Sequence, residues 1–129
     1  MFKTSLTIEE IENASIARAN RWHVNGIESW SPLEWAGAMA GEAGEACNAA
    51  KKLKRITDEI ASIQNPAEER PYAITDEVAI TKNIAKECAD TILYAVLVCA
   101  RIGIPLAPTL IEVFNTKSEE YGFPERIGV

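Results

Sequence analysis

The chain has little of what most metal, cofactor and nucleic-acid sites are built from. Its 129 residues include one histidine, His23, and three cysteines, Cys47, Cys88 and Cys99, odd in number and without a Cys-x-x-Cys pair. That spacing excludes the usual zinc sites, and it leaves the three thiols as reduced packing residues within helical sequence. No Gly-rich loop of phosphate-binding spacing is present. Positive charge is also scarce: 13 Lys and Arg stand against 19 Asp and Glu, for a net charge of -6, and the cations are scattered. A duplex nucleic acid is a poor match for such a surface. The greasiest run, Thr91 to Ala100, falls well short of the ~20 residues needed to span a bilayer. The opening Met1-Phe2-Lys3-Thr4 has no apolar signal core. A soluble, cytoplasmic protein with neither a nucleic-acid nor a membrane partner is the expectation.

What the chain does have is helical period. Its length suits a single domain, 1–129, large enough to bury a core. Thr7 with Glu10 three residues on reads as a capping box, and Ile8, Ile11, Ile16 and Ala19 carry a first helix to about Trp22. His23 to Trp30 reads as a loop. Ser31 as cap, Pro32 at the first helical position and Glu34 reaching back open a second helix, alanine-rich, to about Arg55, a span of about 35 Å. Residues 56–74 read as a connector, broken by Asn65-Pro66 and Arg70-Pro71, with one short helix around Asp58 to Gln64. Thr75 caps a third helix that runs to Arg101 and stops at Gly103. A fourth runs from near Pro105 to about Glu120 and meets Gly122. No strand pattern, repeat or low-complexity tract interrupts this all-α reading.

Against that background two carboxylate pairs stand out, Glu42-Ala43-Gly44-Glu45 and Glu87-Cys88-Ala89-Asp90. At ~100° per residue, Trp35, Met39, Glu42, Ala46 and Leu53 share one stripe of the second helix, and Glu45 lies about 60° to its side. On the third helix Ile80, Ile84, Glu87, Thr91 and Val98 share a stripe, with Asp90 about 60° to the same side. Each helix therefore sets one acid in the middle of its apolar face and another at the margin, with Ala43, Gly44, Ala46 and Ala89 leaving room. Buried carboxylates need a proton or a cation. With only oxygen donors and no histidine on either stripe, a hard ion such as Mg²⁺ or Mn²⁺ fits and zinc does not. A ferritin-like di-iron site would need Glu-x-x-His pairs. Mg²⁺ bound by a few carboxylates commonly shares its shell with substrate phosphates. The basic residues available to meet phosphate are Lys51, Lys52, Lys117 and Arg126, of which Lys52, seven residues after Glu45, projects from nearly the same side of the helix. Trp22, Trp30 and Trp35 cluster just before the first pair. Trp30, in a polar loop, suits stacking on a base, whereas Trp35 suits a core anchor equally well.

The quartet, Tyr94 four residues after Asp90, the stretch Ala100-Arg101-Ile102-Gly103-Ile104 and the tail from Phe114-Asn115 through Gly122-Phe123-Pro124-Glu125-Arg126-Ile127 together resemble the MazG-like, all-α nucleoside triphosphate pyrophosphohydrolases, particularly forms carried by phages. The resemblance covers about Ser29 to Ile127 without the connector. It implies a four-helix MazG-like bundle completed by dimerisation, as a homodimer or homotetramer, and Mg²⁺-dependent cleavage of a nucleoside triphosphate to the monophosphate and pyrophosphate. Under that resemblance Glu42, Glu45, Glu87 and Asp90 are metal ligands, with one of the first pair orienting the attacking water. Tyr94 and Trp30 or Trp35 line the base and sugar pocket, and Asn115 and Lys117 approach the phosphates. The chain departs from the family's pattern in its longer gap from Glu45 to Glu87, in Pro105 where an acid often stands, and in Cys88-Ala89 in place of Leu-Gly. A non-catalytic helical module that binds nucleotide and metal, or that dimerises through its acidic seam, is the rival reading.

Overall fold

The computed structural model describes residues 4–62 and 74–129, and among them the secondary structure is entirely helical. Helix α1 spans Ile8–Trp22, a 3-10 turn Gly26–Ser29, α2 Pro32–Ser62, α3 Ile74–Ile102 and α4 Leu106–Tyr121. No single helix among the described residues is long and apolar enough to cross a membrane. The contacts divide into two compact units, one of residues 1–35 and 95–129 and the other of residues 36–94.

In the first unit the local signals act as their chemistry requires. The Thr7 hydroxyl accepts the backbone N–H of Glu10 at 3.1 Å, and α1 packs on the 3-10 turn and on α4. Ser31 and Glu34 form a reciprocal capping box: the Glu34 N–H donates to Ser31 Oγ at 3.2 Å, and the Ser31 N–H donates to Glu34 Oε2 at 3.3 Å. Such a box satisfies two of the free N–H groups at a helix start. Trp35 is 2% exposed and donates its indole N–H to the Ile27 carbonyl at 2.9 Å. Its ring packs against Trp30, with centroids 4.4 Å apart, and against His23 at 5.4 Å. Arg101 fastens the same loop, donating from Nε to the Trp30 carbonyl at 2.8 Å and pairing with Glu28 at 3.3 Å.

Helices α3 and α4 both end on a left-handed glycine. Gly103 has φ +76° and Gly122 φ +71°. The N–H of Ile104 returns to Cys99 and that of Phe123 to Ser118, while each glycine's own N–H closes the shorter loop. This is the Schellman stop, and only glycine adopts the required φ without steric cost. At the other end of α4, Pro105 offers no side-chain cap. Glu12 supplies one from α1, its Oε1 accepting the Ala107 N–H at 2.9 Å.

The second unit holds the rest of α2 and α3, which run antiparallel. Glu42 meets Glu87 and Asp90, whereas Lys52, Arg55 and Ile56 line a cavity with Asp76, Ala79 and Ile80. Ala49 and Ile56, 3% and 2% exposed, form its buried centre.

Three expectations need correction here. Helix α2 does not stop near Arg55 but continues to Ser62. Buried Ile56 and half-buried Ile60 extend the apolar spacing of Leu53, the Thr57 hydroxyl bonds to the Leu53 carbonyl, and Lys54 pairs with Asp58 one turn on. The separate helix expected around Asp58 to Gln64 is therefore, as far as Ser62, the last turn of α2. The remainder of the connector, with both of its proline breaks, lies outside the described residues. Helix α3 begins at Ile74, so Thr75 stands inside its first turn rather than before it. Lastly, Cys47 and Cys88 are exposed rather than packed, and Cys99 is half-buried; all three thiols are free. Burial, followed by the charge of Glu12, pushes the Cys99 thiol up.

Candidate metal centre

The acidic pairs meet within the second unit. Each of Glu42, Glu87 and Asp90 offers a carboxylate oxygen, and the three oxygens lie within 4.8 Å of one another. Helical phase accounts for the arrangement. Glu87, in the middle of the apolar stripe of α3, is 5% exposed; Glu42 and Asp90 are half-buried; Glu45, at the margin of α2, is exposed. The room beside them comes from half-buried Ala43 and Ala46. Gly44 does not contribute as expected: it is exposed, and a Cβ built on it would meet nothing within 4 Å. Ala89 likewise faces solvent.

The closeness of these carboxylates perturbs their ionisation. A hydrogen bond with Glu87 is the main cause that raises the Glu42 pKa to about 7, followed by burial and by the charges of Glu45, Glu87 and Asp90. Glu87 moves the opposite way. The hydrogen bond from Glu42 holds it ionised against its burial, and Glu45 and Lys86 add to that effect. The two carboxyl groups are pushed in opposite directions, as happens when they stand too close for both to ionise freely. With every carboxylate ionised, Glu87 Oε2 is a buried oxygen with no hydrogen-bond donor. Such an atom calls for a proton or a metal ion. The donor set fits a hard cation, because its three nearest ligands are all carboxylate oxygens.

Lys86 was not among the basic residues singled out in the sequence, yet among the described residues it is the one paired with these acids. Its Nζ lies 3.1 Å from Asp90 Oδ2 and 3.5 Å from Glu87 Oε1. The bond to Asp90, then the two carboxylate charges, raise its pKa. Its position four residues before Asp90 is the signal that could have found it.

The other residues assigned to substrate are distributed as follows. Tyr94, half-buried, follows Asp90 by one turn in the same unit. Lys52 is exposed and lines the cavity with Arg55 and Asp76, about 10 Å along α2 from Glu45 at the helical rise. Trp30, Trp35, Asn115 and Lys117 belong to the first unit. There Trp35 is a buried core anchor, 2% exposed. Asn115 spends its amide on the tail, donating to the Ile127 carbonyl at 3.0 Å and accepting the Ile127 N–H at 2.9 Å. Lys117 is exposed, 3.6 Å from Glu120 and over the ring of Tyr121. Trp30 is half-buried.

Comparison with known protein families and with curated proteins finds no match to this chain.

Proposed function

We propose that the protein is a Mg²⁺-dependent nucleoside triphosphate pyrophosphohydrolase of MazG-like type, acting on (d)NTPs in nucleotide-pool control or the removal of noncanonical nucleotides. The observation that carries this reading is the convergence of Glu42, Glu87 and Asp90, one of which, Glu87, has a buried Oε2 without a hydrogen-bond partner. Mg²⁺ or Mn²⁺ held by these three carboxylates would neutralise phosphate charge and sharpen a water nucleophile. Glu45, exposed on the flank and outside the three mutually close donors, is the carboxylate left to orient that water and take its proton. Attack at the α-phosphorus forms a P–O bond to the water oxygen and breaks the bond to the pyrophosphate leaving group, so that the products are the monophosphate and pyrophosphate. Tyr94 is assigned to the sugar or base, and Trp30, Lys52 and Lys117 are tested by substitution in the same assay.

The reading also includes a four-helix assembly completed by a second copy. Its support is the outer face of α4, where Leu110, Val113, Phe114 and Tyr121 fall within one helical face and are exposed by 37–66%.

Purified protein incubated with Mg²⁺ or Mn²⁺ and a panel of ribo- and deoxynucleoside triphosphates should release pyrophosphate. No turnover of any nucleotide with either ion sinks the proposal, and intact nucleotide recovered from a tight metal-dependent complex assigns the site to a non-catalytic binding module instead. Glu45→Gln should lower turnover by at least about 100-fold, the scale of general acid–base catalysis, while leaving Mn²⁺ affinity close to that of the parent.

A further inference from the structure

The acid cluster already contains a cation. Lys86 Nζ sits 3.1 Å from Asp90 and 3.5 Å from Glu87, and its side chain is 66% exposed; among the described residues those two carboxylates are what hold it there. Glu87, by contrast, is 5% exposed, belongs to the cluster through its carboxylate and has a buried, unpartnered Oε2. The ammonium therefore compensates Asp90 and one Glu87 oxygen and leaves the other, buried Oε2, unmet. Lysine's charge is a compact point on a flexible stem, able to leave one anion for another without disturbing the helix that carries it.

We propose that Lys86 is a built-in competitor for divalent cations, which occupies the Asp90 side of the metal-free cluster and weakens metal binding until the ammonium is displaced. The inference rests on the metal-centre reading above and deepens it. Geometry sets the competition. A Mg²⁺ ion bound by oxygen lies about 2.1 Å from it, so an ion on Asp90 and an ammonium on the same carboxylate would stand within about 5 Å of each other. Repulsion between a single and a double positive charge at that distance is worth about tenfold in affinity even at the dielectric constant of water. The ammonium must swing outward as metal enters, and it is then free to pair with an anionic oxygen of a phosphate-bearing ligand. Metal loading and phosphate binding would in this way favour each other through one side chain.

The test is Mn²⁺ binding alone, followed by the loss of the free-ion electron paramagnetic resonance signal in the wild-type chain, Lys86→Gln and Lys86→Arg. Lys86→Gln is expected to bind Mn²⁺ about tenfold more tightly, and Lys86→Arg, which keeps the charge, to stay near the wild type. A purely structural lysine predicts the opposite direction, since its loss would loosen the helix pair and weaken binding. Wild-type Mn²⁺ binding with no tightening in Lys86→Gln overturns this inference and leaves the metal centre standing. No Mn²⁺ binding by any of the three proteins overturns both.

Discussion

Replacing Glu87 with Gln is the most discriminating perturbation of the acid cluster. Without metal the charge of Glu87 is met only in part, by the hydrogen bond with Glu42 and by Lys86. Its buried Oε2 has no donor, and it stands within 4.8 Å of two other carboxylates. An amide at this position removes one negative charge and brings an N–H that can donate to Glu42, so Glu87→Gln should melt at or above the temperature of the parent without metal. The response to metal should behave in the opposite way. A ligand that binds only the folded state at a hundredfold its Kd stabilises that state by about 2.7 kcal/mol. For a chain of 129 residues the unfolding entropy is roughly 0.27 kcal/mol/K, so saturating Mg²⁺ should raise the parent's Tm by about 10 °C. In Glu87→Gln that shift should vanish. The assay is thermal unfolding followed by circular dichroism at 222 nm, at ionic strength matched with NaCl, because a chain of net charge -6 is also stabilised by unspecific screening. A shift that survives in Glu87→Gln refutes the assignment. So does a metal-free variant that melts well below the parent, since Glu87 would then be a structural partner.

The remaining predictions test individual contacts. Glu42 has a folded-state pKa of about 7, above its ordinary 4.5, so in metal-free protein its contribution to stability is complete below about pH 4.5 and is lost as pH rises through 7; with Mn²⁺ present, affinity should instead fall about tenfold per unit as pH drops below 7, because proton and metal compete for one carboxylate. A Tm series and a Mn²⁺ titration between pH 5 and 8 check both signs. Glu12→Ala removes the acceptor for the Ala107 N–H and should cost about 1 kcal/mol, as loss of a helix cap does, measurable as a lower urea midpoint with unchanged metal binding. Trp35→Ala empties the site of a 2% exposed indole and should cost about 3–5 kcal/mol. Trp22→Ala, at a ring 78% exposed, should change stability by no more than about 0.5 kcal/mol; the two are compared by urea unfolding.

How much of this was legible in the sequence depended on how far each feature is governed by local periodicity. Glu87 could be placed in the interior because a long regular helix repeats every 3.6 residues, and the stripe through Ile80, Ile84 and Thr91 leaves it no other face. The same rule kept Glu45 outside, where it is exposed. The caps at Thr7 and Ser31 and the stops at Gly103 and Gly122 were legible for the same reason: each is closed by atoms within a few residues of itself. The end of α2 was not, because nothing between Arg55 and Ser62 forbids helix, and buried Ile56 with half-buried Ile60 favours continuing it. Contacts across long separations were equally hidden. Nothing in the pattern around Pro105 announces that Glu12, 95 residues before Ala107, caps α4, or that Arg101 holds the Trp30 carbonyl. Trp35 shows why ring type alone does not decide a role. Its indole is closed on one side by Trp30 and His23 and spends its N–H on Ile27, whereas phase could say only that the ring faces inward. Lys86 is the instructive intermediate case. Its spacing to Asp90 was visible, but an i,i+4 pair on a helix is ordinarily a weak surface ion pair. The pair becomes informative only because one of its carboxylates shares a cluster with the buried Glu87 Oε2, and that fact belongs to the packing of α3 against α2.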